Sequence, residues 1–365
     1  PRHAHNYYPE YLYHNNQKIT LTGNLNGEKG EYSHDLFTQK AKDFIHSWRM
    51  EPFFLLIAYT IPHAFNEGNT NPVPSQDPYT EKPWPEEQKN VAAMITRMDT
   101  DVGEILDLLK TYGIDNKTIV FFSSDNGPHS EGGHDHNYHD ANGPLRGKKR
   151  DLYEGGIRIP MIVRWSGTIE PGGTSSLLTA SWDFLPTAAN IASEPVSEGI
   201  DGISILPELL GYPQPTHDYL YWEMHKGGFK QAVRKGNWKG VHNNVSSSTE
   251  LYDLSVDIGE SNNVAGANLT IVAEIEDIFV NGRTPSPYWP TPEASVVPTC
   301  IISPPNGSID VSAGSTITVT FSEAVRKTDD IVLDNNNVDA VITLKNGDAN
   351  GTDIPFDAIV NDSKT

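Results

Sequence analysis

The sequence predicts an α/β layered fold, with helices covering a largely parallel sheet. Three observations carry this. Residues 53–59 are a continuous apolar run, and 118–124, apolar over Ile119–Phe122, read as a second segment, each with the length of a strand buried on both faces. Between them, over 86–112, Val91, Ile95, Met98, Val102, Ile105, Leu106 and Leu109 recur at spacings of three and four, the period of an amphipathic helix. A third strand-like run, 160–165, follows a long loop over 125–156.

The remaining elements follow in order. Residues 1–32 are polar, rich in Tyr and Asn, and turn-prone. Residues 35–48 read as a helix with Leu36, Ala41, Phe44, Ile45 and Trp48 on one side. Pro62 ends the 53–59 run and opens a Pro/Asn-rich loop, and Gly113 suits the stop of the long helix. Residues 183–192 read as another helix. From about residue 195 the texture changes to short segments at 219–223, 231–234, 238–241 and 250–253, as in a small antiparallel sheet. A Pro-rich stretch follows, and 316–321 then alternates polar and apolar residues. These features divide the chain into an α/β core over 1–194, a subdomain with a small antiparallel sheet over 195–290, a linker over 291–298 and a β module over 299–365. The last is shorter than the ~100 residues of a full immunoglobulin-type sandwich.

Bulk properties exclude several classes. The 365 residues carry a net charge of −21, a poor match to nucleic acid, whose binding needs cations to neutralise phosphates. No run approaches the ~18 apolar residues that suggest a membrane span. The single cysteine, Cys300, permits neither an intramolecular disulfide nor a thiolate zinc site. The first residues, Pro1-Arg2-His3-Ala4, are neither a signal peptide nor a clean domain start, so a chain cut at the front is expected.

Four segments could carry chemistry. Asp125-Asn126-Gly127 follows an apolar run, where ligands bind in open α/β sheets. Its oxygens suit a hard cation such as calcium, and the same tripeptide also makes a plain Asx turn. Arg146, Lys148, Lys149 and Arg150 place four cations in one short stretch of an acidic chain. They offer a local field for an anionic ester, or a solvated basic loop. His63, just past the first apolar run, suits acid/base work or anion contact as well as a structural role. His129, His134, His136 and His139 crowd one loop, but their spacing matches no standard metal pair, and a polar loop is the favoured reading.

Taken in order, these pieces resemble a known family. Ile61-Pro62-His63-Ala64, Met98-Asp99-Thr100-Asp101-Val102-Gly103, Ser123-Ser124-Asp125-Asn126-Gly127-Pro128-His129 and the run from Gly143 through Lys149 and Glu154-Gly155-Gly156 to Pro160 are similar to motifs of arylsulfatase-type sulfatases. Asp201-Gly202-Ile203 and Leu251-Tyr252-Asp253-Leu254 resemble that family's C-terminal subdomain. The likeness covers about residues 1–290. It implies an alkaline-phosphatase-like α/β sandwich, with an incomplete central mixed sheet, flanking helices and a small C-terminal antiparallel sheet. It implies Ca²⁺ held by Asp125 and Asn126, sulfate bound by Lys149, and His63 beside the leaving oxygen.

The family's nucleophile is a formylglycine made from Cys or Ser in Cys/Ser-x-Pro-x-Arg, a motif that does not occur here. An N-terminally truncated enzyme, inactive alone, is therefore expected. The parent activity would be hydrolysis of sulfate esters on small molecules or polysaccharides. A phosphate-ester hydrolase or transferase of the same superfamily, or a non-catalytic carbohydrate-binding fragment, are the alternatives. Ser303-Pro304-Pro305-Asn306-Gly307 and Thr320-Phe321-Ser322-Glu323 resemble bacterial immunoglobulin-like modules, which points to a secreted or periplasmic protein. Trp222, Glu223, His225 and Trp289 are candidates for a sugar-binding rim.

Overall fold

Asn15, in the left-handed region at φ 53°, turns the chain between Tyr11–His14 (β1) and Gln17–Thr20 (β2). The two strands form an antiparallel hairpin in which Tyr11 faces Thr20. This computed structural model describes residues 5–244, 247–284 and 286, together with the strands at 300–303 and 318–321. The hairpin is absent from the sequence reading of 1–32, because β2 is polar and exposed along its whole length.

Ser33–Trp48 (α1) and Glu86–Thr111 (α2) form where the apolar period places them. Ala41 and Ile45 of α1 pack on Ile105 and Leu109 of α2. A polar tie crosses the same interface: Asp101 accepts from His34 Nε2 at 2.7 Å and from Thr38 Oγ1 at 2.9 Å. Residues 53–59 lie against this pair, and here the expectation is corrected. The run joins no ladder among the described residues and is not buried on both faces. Phe53, Leu55 and Ile57 pack on the helices, while Phe54 and Leu56 are 68% and 76% exposed. The two-residue period of an extended chain sends alternate side chains to opposite faces, and only one face is covered.

Val120–Ser123 (β3) follows α2 and pairs with Met161–Arg164 (β4), Val120 opposite Arg164. The pairing is antiparallel, as is every strand pair among the described residues, so the largely parallel sheet is also corrected. Parallel neighbours need a crossover of a dozen or more residues, usually a helix. The segment joining β3 to β4 is instead a returning loop whose only helix is the single turn Glu154–Ile157 (α3). β3 is half-buried rather than enclosed on both faces.

Phe184–Ala192 (α4) and Leu206–Leu209 (α5) lead to a four-stranded antiparallel sheet. Its strands, in spatial order, are Leu220–Met224 (β5), Lys230–Lys235 (β6), Trp238–His242 (β7) and Glu250–Asp253 (β8), close to the predicted segments. Leu269–Asn281 (α6), which the sequence reading does not single out, covers one face. Its Ile275 and Phe279 pack on Val233 and Leu251. On the other face Ala232, Val241 and Tyr252 pack on Leu152 and Tyr153, just ahead of α3.

That junction also buries charge. Lys239, fully buried, donates from Nζ to Glu154 Oε1 at 2.9 Å and lies 3.5 Å from Glu260 Oε1. Arg234 reaches Glu154 Oε2 at 3.4 Å, and the Glu154 backbone N–H donates to Glu260 Oε2 at 2.7 Å. The charges hold α3 against the sheet from both sides.

Residues 1–284 form one compact unit and 285–365 a second. In the second, Cys300–Ser303 (β9) pairs antiparallel with Thr318–Phe321 (β10). The 291–298 linker, Trp289 and the rest of the expected β module lie outside the described residues. No helix among the described residues is long and apolar enough to cross a membrane.

The long loop is pinned to α2 by His134, which donates from Nδ1 to Gln88 Oε1 at 2.7 Å. Burial, then the neighbouring His129 and His139, push the His134 imidazole down to about 4.

Two stability tests follow from these contacts. Lys239→Ala leaves Glu154 and Glu260 buried and facing each other, so urea denaturation should show a loss of ~3–5 kcal/mol. His134 is neutral in the folded chain and protonates first in the unfolded one. Stability present above about pH 6.5 should therefore be lost as pH falls toward about 4. The loss from this group is on the order of 2–3 kcal/mol, and urea midpoints at the two pH values should differ less in His134→Gln.

Candidate active site

The site is built on a seam between two loops. The Gly127 N–H donates to Gly156 O at 3.0 Å, Lys149 N–H to Pro128 O at 2.9 Å, and Gly155 N–H to Arg146 O at 2.7 Å. A Cβ on Gly127 would lie 1.8 Å from Gly155 O, and one on Gly156 2.1 Å from Asp151 O. Backbones this close leave no room for a side chain, which is what glycine supplies. The seam brings the basic loop against the end of β3, so Lys149 rises beside the Asp125–Pro128 turn.

His63 meets Lys149 there. Ala64 O, an acceptor only, lies 2.7 Å from His63 Nδ1, so Nδ1 carries the proton. Nε2 is then free to accept from Lys149 Nζ at 2.7 Å. The ring is held between His5, with centroids 4.0 Å apart, and His129 at 5.7 Å, and the Tyr7 hydroxyl donates to its carbonyl. Burial first, and then the Lys149 and His5 charges, hold the His63 imidazole below its ordinary value.

Glu131 completes the cluster, and the sequence reading misses it. Its Oε2 lies 3.6 Å from both Lys149 Nζ and His63 Nε2, while Arg150 bonds Oε1. Burial works to raise its pKa, but the Arg150 hydrogen bond and the Lys149 and Arg150 charges prevail and hold the carboxyl below its ordinary range. No local pattern marks Glu131. It is one acid in a Gly/His loop, and only the return of that loop onto Lys149 gives it a role.

Asp125 and Asn126 stand at the mouth of the seam. Asn126 Nδ2 donates to Gly127 O at 2.8 Å, and Ser124 Oγ donates to Asn126 O at 3.1 Å. The Asp125 carboxylate is exposed, and neither it nor Asn126 Oδ1 accepts a hydrogen bond among the described residues. These are the hard oxygens a calcium ion selects, and their donor chemistry fits it. They are two residues against about six to eight ligands, and no group of three or more His, Cys, Asp or Glu among the described residues could hold a metal.

The histidine loop holds itself together. His129 donates from Nε2 to Pro62 O at 2.9 Å and accepts at Nδ1 from Glu131 N–H at 3.1 Å, so neither nitrogen is left for a metal. His136 Nδ1 bonds Ser130 Oγ at 2.7 Å, and His139 packs edge-on against Trp84. Of the rim candidates, Trp222 packs under the buried Lys239 and against Trp182. Glu223 is buried in an ion pair with Arg283.

The chain is similar to known proteins. The Sulfatase family model matches residues 3–194, and the model for the C-terminal part of N-sulphoglucosamine sulphohydrolase matches 147–279. N-acetylgalactosamine-6-O-sulfatase of Bacteroides thetaiotaomicron is 30% identical over 284 residues, covering 70% of this chain and 52% of its own length. Mus musculus N-acetylgalactosamine-6-sulfatase is 30% identical over 279 residues, covering 73% and 50%. The chain thus spans about half the length of these curated relatives. The crystal structure of Ps i-CgsB in complex with k-i-k-neocarrahexaose matches with a TM-score of 0.64 and 25% identity, over 79% of this chain and 61% of that one. With the match to residues 3–194 spanning more than half of its 365 residues, the chain belongs to the sulfatase family.

Proposed function

We propose that this chain carries the Lys149–His63 half of a site that hydrolyses sulfate esters on carbohydrates. The observation that supports it best is the 2.7 Å contact between Lys149 Nζ and His63 Nε2, in the loop whose Lys149 N–H is bonded to Pro128 O of the Asp125–Pro128 turn. The Lys149 ammonium can donate to one oxygen of a tetrahedral anion, and His63 Nε2 can donate to another once it has taken a proton, for instance from that ammonium. Lys149 binds and polarises the sulfate oxygens. His63 keeps Nδ1–H on Ala64 O and presents Nε2 to the leaving oxygen, where a proton can be held or passed. Asp125 and Asn126 would hold calcium, which would supply Lewis-acid polarisation of the sulfate. The formylglycine nucleophile implied by the family belongs to a Cys/Ser-x-Pro-x-Arg segment that is not among these 365 residues. On this reading they do not turn over substrate alone. A sulfated sugar is favoured because both curated relatives described above are named as N-acetylgalactosamine-6-sulfatases and one structural neighbour is complexed with a neocarrahexaose. Secretion or export to a periplasm would place the enzyme with such polymers.

The test is a calorimetric titration of the full chain with N-acetylgalactosamine 6-sulfate in the presence of calcium. Binding is expected in the wild type, and Lys149→Ala should weaken it by about ten- to a hundredfold, the loss of one or two charge-assisted hydrogen bonds. Aryl sulfate should remain unhydrolysed. An affinity untouched by Lys149→Ala would sink the assignment, and turnover by these residues alone would refute the expected inactivity.

A further inference from the structure

We infer that Glu131 is a specificity-determining residue that favours singly charged sulfate esters over doubly charged phosphate esters at the Lys149–His63 site. The inference rests on the proposed reading of that site. An anion-binding pocket gains nothing in affinity from a carboxylate at its centre, yet Glu131 Oε2 lies 3.6 Å from both groups that would grip the anion. Nor does Oε2 serve as a structural acceptor, since it is shielded from solvent and takes no hydrogen bond. Its position is fixed all the same. Arg150 holds Oε1, the Glu131 N–H donates to His129 Nδ1 at 3.1 Å, and its carbonyl accepts from His134 N–H at 3.2 Å. The groups facing the carboxylate are Lys149, Arg150 and His63, with His5 stacked behind His63 and His129 beside it.

The charge count gives the selectivity. Lys149 and Arg150 bring two positive charges and Glu131 removes one. Sulfate and phosphate esters are both tetrahedral oxyanions, so hydrogen-bond geometry separates them poorly. Their charges differ: a sulfate monoester carries one, and a phosphate monoester gains its second as its pKa of about 6 is passed. Repulsion by a fixed carboxylate scales with the ligand's charge, so Glu131 costs the dianion about twice what it costs the monoanion. This is discrimination by a repulsive element rather than by an added contact.

The experiment titrates the full chain with galactose 6-sulfate and galactose 6-phosphate at about pH 8 and about pH 5, where the alkyl phosphate ester is mostly doubly and mostly singly charged respectively. At the higher pH, Glu131→Gln should improve phosphate-ester binding about tenfold relative to sulfate-ester binding, the effect of one partly screened charge. At the lower pH the ratio should hold within about twofold. Arg150→Gln, which leaves Glu131 uncompensated, should shift the ratio the opposite way at the higher pH, and it carries the test if Glu131→Gln does not fold. A ratio unmoved by the variant that folds, or both esters shifted equally, overturns the inference and assigns Glu131 a structural role. If the wild type binds neither ester, the sulfate-site reading itself fails, and it does so before any variant is compared.

Discussion

The site depends on one constraint, the backbone contact between Gly127 and the Gly155–Gly156 pair. The hydrogen bond from Gly127 to Gly156 and the 1.8 Å that a Cβ would leave at Gly155 O fix how far apart the two loops can be. Asn126 and Lys149 each lie within a few residues of that contact. Their mutual position is therefore set by main-chain geometry, which is stiffer than any side-chain contact between them. His63 is added from a third segment, and it too is held by backbone acceptors, at Ala64 O and through its neighbour His129 at Pro62 O.

The seam is anchored at its far end by charge. Glu154 immediately precedes Gly155, and its carboxylate is bound by the buried Lys239 and by Arg234, both on the C-terminal sheet. Tyr153 and Leu152, one step earlier, enter the apolar cluster on the same sheet. The four-stranded sheet, much further along the chain, thus holds the loop that carries Lys149 in place. Glu154 shows how this balances: burial works to raise its pKa, but the Lys239, Arg234 and Arg158 charges prevail and keep it lowered. Buried ion pairs add little net stability against an apolar alternative, but losing one partner is costly. The arrangement therefore resists piecemeal change and couples site geometry to the integrity of the distant sheet.

What the sequence shows and what it hides divide along physical lines. α1, α2 and β5 to β8 are legible because each keeps one apolar face with a clear period. The 53–59 run is legible as extended chain but not as unpaired, since pairing is a property of neighbours and not of the run. The antiparallel β3–β4 pair is hidden because its connection resembles a crossover in length without containing a crossover helix. For the site, Asp125-Asn126 alone reads equally as a turn, and His63 and Lys149 stand out by position and charge but gain specific roles only through the order of motifs. Their 2.7 Å approach is a tertiary fact. Glu131 and the buried Lys239 are invisible in sequence, one an acid in a polar loop and the other a lysine in a strand that alternation places indoors.

On the proposed reading, the net charge of −21 sets the terms on which an anionic ligand is taken up. At physiological salt the Debye length is ~8 Å, so charges spread over the surface contribute little at the pocket itself. Attraction must come from groups within that distance, and Lys149, Arg150 and His63 form such a set around Glu131. A chain this acidic gains no long-range steering of a sulfated ligand. On the proposed reading, recognition falls on short-range geometry: the ammonium and imidazole nitrogens at 2.7 Å, the oxygens of Asp125 and Asn126, and the proposed charge selection by Glu131. Selectivity is decided inside the pocket because the surrounding field offers none.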